Sequence, residues 1–179
     1  WTWEQAQVPG NDGKPCWVGI NTALPNRLIR AAIEAGCLKE PFGDIANIRA
    51  EVTYGQNKRS RIDLLLSPGS DNPDQRPIYV EVKNTTWCDG STALFPDTVT
   101  ERGQKHLVEL MGVLPAARAV LVPCLSRDDV DGFAPGDTAD PRYGQLFRQA
   151  VEAGVEVVPC RFRFQSDGVL WDGIKALSI

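Results

Sequence analysis

Arg61-Ile62-Asp63-Leu64-Leu65-Leu66 and, beyond the turn-rich Ser67-Pro68-Gly69-Ser70-Asp71-Asn72-Pro73, Ile78-Tyr79-Val80-Glu81-Val82-Lys83-Asn84 are the segments whose reading decides the fold. Each is short, rich in branched apolar residues and bounded by turn formers, so each reads as a strand. In the first, Ile62, Leu64 and Leu66 are expected on one face and Arg61, Asp63 and Leu65 on the other, which calls for cover on both sides of the sheet. In the second, Ile78, Val80 and Val82 share a face, while Tyr79, Glu81 and Lys83 share the opposite one. Asp63 therefore belongs to a half-buried surface, and Glu81 and Lys83 stand side by side.

An acid on one strand and an acid-x-Lys on a later one suit a hard divalent cation. Carboxylate oxygens bind Mg²⁺, the metal stabilises charge on a phosphodiester and lowers the pKa of its water, and a lysine places a further positive charge beside it. The same residues fit a plainer account, in which Asp63 with Lys83, or Glu81 with Lys83, is a cross-strand or same-face ion pair. The spacing alone leaves both open.

A chain of 179 residues, 42% hydrophobic and 23% charged, suits one well-buried domain with a small appendage. No run approaches the length of a membrane span, and Trp1-Thr2-Trp3-Glu4 has no signal-peptide character, so a cytoplasmic protein is expected. The start also suggests that a further part of the protein lies upstream. A net charge of -4 and a pI of about 5.1 argue against a surface coated in basic residues for nucleic acid, so such contacts are expected to be local. The five cysteines, Cys16, Cys37, Cys88, Cys124 and Cys160, are widely spaced without a CxxC or Cys/His cluster and read as reduced thiols rather than zinc ligands.

Residues 1–19 are expected to form a hairpin around Pro9-Gly10-Asn11-Asp12-Gly13. A helix follows from about Thr22 to Ala35, capped by Thr22, with Leu24, Leu28, Ala31, Ala32 and Ala35 inward and Gly36 at its end. Ile45 to Tyr54 reads as a strand joined to the Asp63 strand through a turn at which Lys58, Arg59 and Arg61 cluster. Thr85 to Asp97 reads as a long irregular loop, and loops of that length are often functional. Thr98-Val99-Thr100-Glu101 forms a capping box for a helix to about Leu114, with Leu107, Leu110, Met111 and Leu114 buried, Gly103 on the same side, Arg102 and Lys105 on the polar face and His106 near the boundary. Ala117 to Cys124 reads as a buried strand, Ser126 to Pro141 as a polar connection, and Arg142 to Ala153 as a helix. Val155 to Phe164 and Val169 to Trp171 read as further strands. The element order is a hairpin followed by αβββαβαβ.

Val18-Gly19-Ile20-Asn21-Thr22 with Leu24 and Asn26-Arg27-Leu28, then Ser60-Arg61-Ile62-Asp63, Tyr79-Val80-Glu81-Val82-Lys83-Asn84, Ala93-Leu94-Phe95-Pro96-Asp97, Thr100-Glu101-Arg102-Gly103-Gln104-Lys105-His106-Leu107 and Gly154-Val155-Glu156-Val157 together resemble the sugar fermentation stimulation protein A (SfsA) family. The resemblance runs from about residue 18 to the end. It implies an α/β fold of the PD-(D/E)xK, restriction-endonuclease-like kind: a mixed central sheet flanked by helices over residues 20–179. Residues 1–19 would then be the last hairpin of an N-terminal OB-type barrel. The proline that often precedes the first acid is Ile62 here.

The resemblance also implies the site. Asp63 and Glu81 would be metal ligands with the Val82 carbonyl as a third, Lys83 the residue that positions water, and Mg²⁺ or Mn²⁺ the cofactor. Lys58, Arg59, Arg102, Lys105 and His106 would meet DNA phosphates, with Glu51 and Asp97 as further acids. Metal-dependent hydrolysis of DNA phosphodiesters is the first reading. The second is a non-catalytic DNA-binding or regulatory protein of sugar metabolism that keeps the nuclease fold, and the third a structural ion pair. An intact Asp63, Glu81 and Lys83 set favours the first, because a binder need not retain all three.

Overall fold

The structure, a computed structural model, describes residues 2–11, 13–55 and 60–179. Lys58 and Arg59 lie outside the described residues. The N-terminal strands β1 (Gln5–Pro9) and β2 (Pro15–Gly19) pair antiparallel as the expected hairpin. Gly19 lies flat on Phe164, where a Cβ would approach the ring to 2.3 Å, and its N–H donates to the Ser126 carbonyl, so the hairpin is seated on the main body.

Helix α1 (Leu24–Glu34) and the single turn α2 (Lys39–Phe42) lead into the antiparallel pair β3 (Ile45–Tyr54) and β4 (Ser60–Pro68), followed by β5 (Ile78–Thr85). The short strands β6 (Trp87–Asp89) and β7 (Thr92–Phe95) precede helix α3 (Glu101–Met111) and strand β8 (Arg118–Leu125). Then come β9 (Gly132–Pro135), helix α4 (Pro141–Glu152), β10 (Glu156–Val157), β11 (Cys160–Gln165), β12 (Gly168–Ile174) and β13 (Ala176–Leu177). The main sheet runs β12-β11-β8-β5-β4-β3, with β10 also paired to β8. Its centre, β5-β8-β11, is parallel, and its flanks, β3-β4-β5 and β11-β12, are antiparallel. Parallel neighbours need crossovers, and α3 and α4 supply them.

One core lies between the sheet and α1, built on Ile29, Ile33, Phe42, Leu64, Ile78 and Val80. The other lies under α3 and α4, built on Leu65, Leu107, Leu110, Leu121, Phe133 and Phe147. Each such large side chain contributes roughly 1.5–3 kcal/mol on leaving water, so the two layers fix the helices against the sheet. Gly103 lets α3 approach α4, since a Cβ there would lie 3.3 Å from the Tyr143 ring. Thr100 caps α3 by accepting from the Gly103 N–H, so the helix starts two residues later than the expected capping box, which had Thr98 as the cap and Glu101 in the third helical position. Asp140 caps α4 by accepting from the Tyr143 N–H and also takes the Thr100 N–H, tying the two helix starts together.

Several expectations need correction. In α1 the buried residues are Pro25, Ile29, Ala32 and Ile33, with Leu24 and Leu28 at the rim and Ala31 and Ala35 exposed, because the branched Ile29 and Ile33 have more apolar area to bury than alanines. The N-cap is Ala23 rather than Thr22, and Asn21 closes the turn by accepting from the Ala23 N–H. Thr85–Asp97 is not irregular: β6 and β7 form a hairpin that joins β9 and β13 in a second, four-stranded sheet. Ser126–Pro141 likewise contains β9. Val155–Phe164 divides into β10 and β11 around Pro159, which has no N–H for a ladder. Ile62 departs from Leu64 and Leu66 and packs in the α3-side core. Among the described residues no helix is long and apolar enough to cross a membrane.

Candidate metal centre

Strands β4 and β5 pair as Leu66↔Ile78, Leu65↔Tyr79 and Leu64↔Val80, and there the ladder stops although both strands continue. The next rung would bring Asp63 opposite Glu81. Instead of a backbone bond, the Val82 N–H donates to Asp63 Oδ2 at 2.7 Å, and Asn26 Nδ2 on α1 donates to Oδ1 at 2.8 Å. The carboxylate of Asp63 thus lies in the opening between the two strands. Burial, and next the charge of Glu81, raise its pKa against the Val82 and Asn26 hydrogen bonds and Lys83.

Glu81 lies on the α3 side, and its side chain is only 3% exposed. Its Oε1 accepts from Lys83 Nζ at 2.7 Å and is bonded to His106 Nδ1, while Lys83 Nζ and His106 Nδ1 lie 3.1 Å apart. Burial pushes the Glu81 carboxyl up, but His106 and Lys83 outweigh it and hold the group below the ordinary range. Its Oε2 is buried without a hydrogen-bond partner. An ionised carboxylate oxygen in that condition costs about 1–3 kcal/mol or more unless a cation or donor meets it.

Three more buried oxygens without partners surround this layer: Tyr54 Oη, Tyr143 Oη and Glu109 Oε2. Burial raises both phenols, with Glu81 the next contributor in each case, so they remain neutral O–H groups facing a carboxylate-rich space. Ser60 Oγ donates to Glu109 Oε1 at 2.7 Å. Lys83 is covered from above by Phe95 of β7, its Nζ lying 5.9 Å from the ring centroid. The strand pair missed in the sequence therefore roofs the lysine.

From solvent a cleft of about 530 Å³, lined by Ser60, Arg61, Glu101, Arg102, Lys105 and His106, leads to this layer. Arg102 and Lys105 are exposed at its mouth, and Lys105 lies 3.6 Å from Glu109. His106 is not at the surface but 7% exposed on Glu81, which the helical spacing left at a boundary. Glu51 is exposed, with its carboxylate 3.5 Å from Arg61, and Asp97 is exposed beyond β7. The centre thus gathers Asp63, Glu81, Lys83 and His106, with Glu51 and Asp97 outside it. Sequence reasoning named Arg61 only as part of a basic cluster at the turn and did not single out Asn26, Tyr54 or Glu109. Asn26 and Arg61 fall within the family-like stretches, whereas Tyr54 and Glu109 carry no sequence signal beyond their strand and helix.

The donor set fits a hard cation. A buried carboxylate oxygen without a partner and a second acid pushed towards neutrality by burial and by Glu81 are what such an ion would relieve. A different cluster, Cys16, Asp128 and Asp129, brings three potential ligand atoms within 4.8 Å of one another.

Over residues 23–168 the sequence matches the family described as the sugar fermentation stimulation protein RE domain. It is 80% identical over 177 residues to the sugar fermentation stimulation protein homolog of Parasynechococcus marenigrum (strain WH8102), spanning 99% of this chain and 70% of that protein. To the homolog of Synechococcus sp. (strain CC9902) it is 77% identical, spanning 99% of this chain and 71% of that protein. The fold is similar to that of Pyrococcus furiosus SfsA solved in complex with Ca²⁺, at a TM-score of 0.81 and 27% identity, covering 98% of this chain and 78% of that one.

Proposed function

We propose, from the premise that this chain belongs to the sugar fermentation stimulation protein (SfsA) family, that it is a divalent-metal-dependent nuclease acting on DNA phosphodiesters. The observation that carries the reading is the buried, unpartnered Oε2 of Glu81 on the strand facing Asp63. The Ca²⁺ complex of Pyrococcus furiosus SfsA supports a metal role for the family fold. Asp63, Glu81 and the Val82 carbonyl would hold Mg²⁺ or Mn²⁺. When bound, the cation supplies Lewis-acid stabilisation of phosphodiester charge and a more acidic water.

The remaining work falls to the chain's own groups. Lys83, held between Glu81 and the Phe95 ring, presents fixed positive charge where an attacking water must be oriented. Arg61, Arg102 and Lys105 form a cationic rim on an otherwise acidic protein and would take the flanking phosphates. His106 holds Glu81 in place from α3, and the β6-β7 hairpin limits water at the lysine.

Cleavage of single-stranded, duplex and branched DNA with Mg²⁺ or Mn²⁺ tests the proposal. Lys83→Ala should keep metal affinity within about threefold and slow cleavage by at least about 100-fold, since a group that is no ligand but faces the nucleophile acts on the chemical step. Metal-dependent cleavage that persists in both Lys83→Ala and Glu81→Gln would overturn it. DNA binding without cleavage of any substrate would favour the regulatory reading.

A further inference from the structure

Among the described residues Glu51 is the one non-glycine with a positive φ, 54°, in the middle of a ten-residue strand. Its carboxylate is exposed and, among the described residues, reaches only Arg61, a solvated pair too weak to hold a residue in the left-handed region that L side chains rarely adopt. Its position explains it better. The β3-β4 register runs Ala50↔Leu64 and then Val52↔Ile62, which leaves Glu51 at the rung of Asp63.

Both strands change faces at that rung. Ile48, Leu64 and Leu66 belong to the core under α1, whereas Val52, Tyr54 and Ile62 belong to the core under α3. In regular strands Ile48, Val52 and Tyr54 would share one face, as would Ile62, Leu64 and Leu66. One left-handed residue rolls the strand and re-aims the side chains beyond it, as it does in a bulge. Asp63 is the residue at the inflection, and it points into neither core but sideways, on to the Val82 N–H and Asn26.

We infer that Glu51 is a positioning residue that acts through its backbone: its left-handed conformation rolls the β3-β4 hairpin and thereby swings Asp63 into the opening beside β5. The inference rests on the reading of Asp63 and Glu81 as the metal pair. Its acidic side chain is incidental, and the position is defined by φ. The consequence extends to Tyr54, which reaches the Glu81 layer only because the roll has occurred before it.

The test uses the whole chain, Mn²⁺ titration by calorimetry, and hydrogen exchange of the Val82 amide, which reports the Asp63 bond without any catalysis. Glu51→Gly, free to adopt positive φ, and Glu51→Gln, which keeps the shape without the charge, should bind Mn²⁺ within about twofold of wild type and protect Val82 equally. Glu51→Val, whose branched side chain disfavours this region, should bind at least about tenfold more weakly with Val82 exchanging faster, while circular dichroism shows a folded protein. Glu51→Thr, branched at Cβ but smaller and polar, gives a milder loss of the same kind should the valine variant not fold. Unchanged Mn²⁺ affinity and Val82 protection in Glu51→Val, or in Glu51→Thr where valine does not fold, would overturn the inference. So would a Glu51→Gln loss as large as that of valine, because the carboxylate would then be the active part. Asp63→Asn separates the two readings: full Mn²⁺ affinity in that variant removes the metal pair, while the Val82 exchange still judges the positioning role.

Discussion

Two places in the molecule gather carboxylates, and they differ in how those carboxylates are satisfied. At Asp128 and Asp129 every acid finds a donor. Arg127 clamps Asp129 through Nε at 2.6 Å and Nη2 at 2.8 Å, the Asn11 N–H adds a third bond at 3.0 Å, and Cys16 Sγ donates to Asp128 at 2.9 Å. Arg127 drives the Asp129 carboxyl down to about 2, and burial, with Asp128 beside it, pushes the Cys16 thiol up to about 12. At Asp63 and Glu81 one oxygen has no partner and one acid is pushed up. In the first cluster the Asp129 charge is already met by a guanidinium, so a cation held there by Asp129 has to displace an arginine. Unmet oxygen, rather than a count of acids, distinguishes a place that lacks a cation from one that has made its own.

The largest effect that bears on this contrast concerns metal. Glu81→Gln should weaken Mn²⁺ binding by at least about 100-fold, some 3 kcal/mol, whereas Asp128→Asn should leave it within about twofold; calorimetry on both variants reads the difference. The opposite ranking would move the centre to the Cys16 cluster.

Stability should rank the other way round. Arg127 and Asp129 are 10% and 11% exposed, so Arg127→Ala leaves an almost buried carboxylate and strands the Thr86 carbonyl that Arg127 also serves. A loss of about 2 kcal/mol in urea melts is expected. A loss below about 0.5 kcal/mol would show that water already serves that cluster.

Acidification should distinguish the two acids by sign. Asp129 has a depressed pKa, so its contribution is complete above the ordinary aspartate value of 3.8 and fades as pH falls through about 2. Asp129→Asn should therefore remove part of the acid loss of stability in that window. Asp63 is raised, so the folded state holds its proton more tightly than the unfolded chain, and falling pH through its raised value favours folding at that residue. Asp63→Asn should accordingly flatten that gain while leaving the lower window alone.

The smallest effect is on the metal-free fold at neutral pH. Asp63→Asn should be neutral or stabilising by up to about 1 kcal/mol, because it removes a charge that burial and Glu81 both disfavour while an amide oxygen still accepts from Val82. A loss of several kcal/mol in thermal melts would instead make Asp63 a structural ion-pair partner and erase the difference between the two clusters.

The sequence by itself determined the strands around Asp63 and Glu81, the faces of β5, the existence of α3 and the family, because period-two and helical patterns and spaced motifs are local and survive in one dimension. It also determined that Glu81 and Lys83 share a face, since alternation along one strand requires it. Only the tertiary structure decided what those groups meet. His106 joins Glu81 across 25 positions and Asn26 joins Asp63 across 37, and helical spacing places a residue on a face without saying what that face touches. The β6-β7 hairpin was hidden because such short strands are stabilised by their neighbours β9 and β13 rather than by their own pattern. The roll at Glu51 was invisible for the same reason: a glutamate signals no left-handed residue, and the conformation exists because two packed cores on opposite faces of one hairpin demand it.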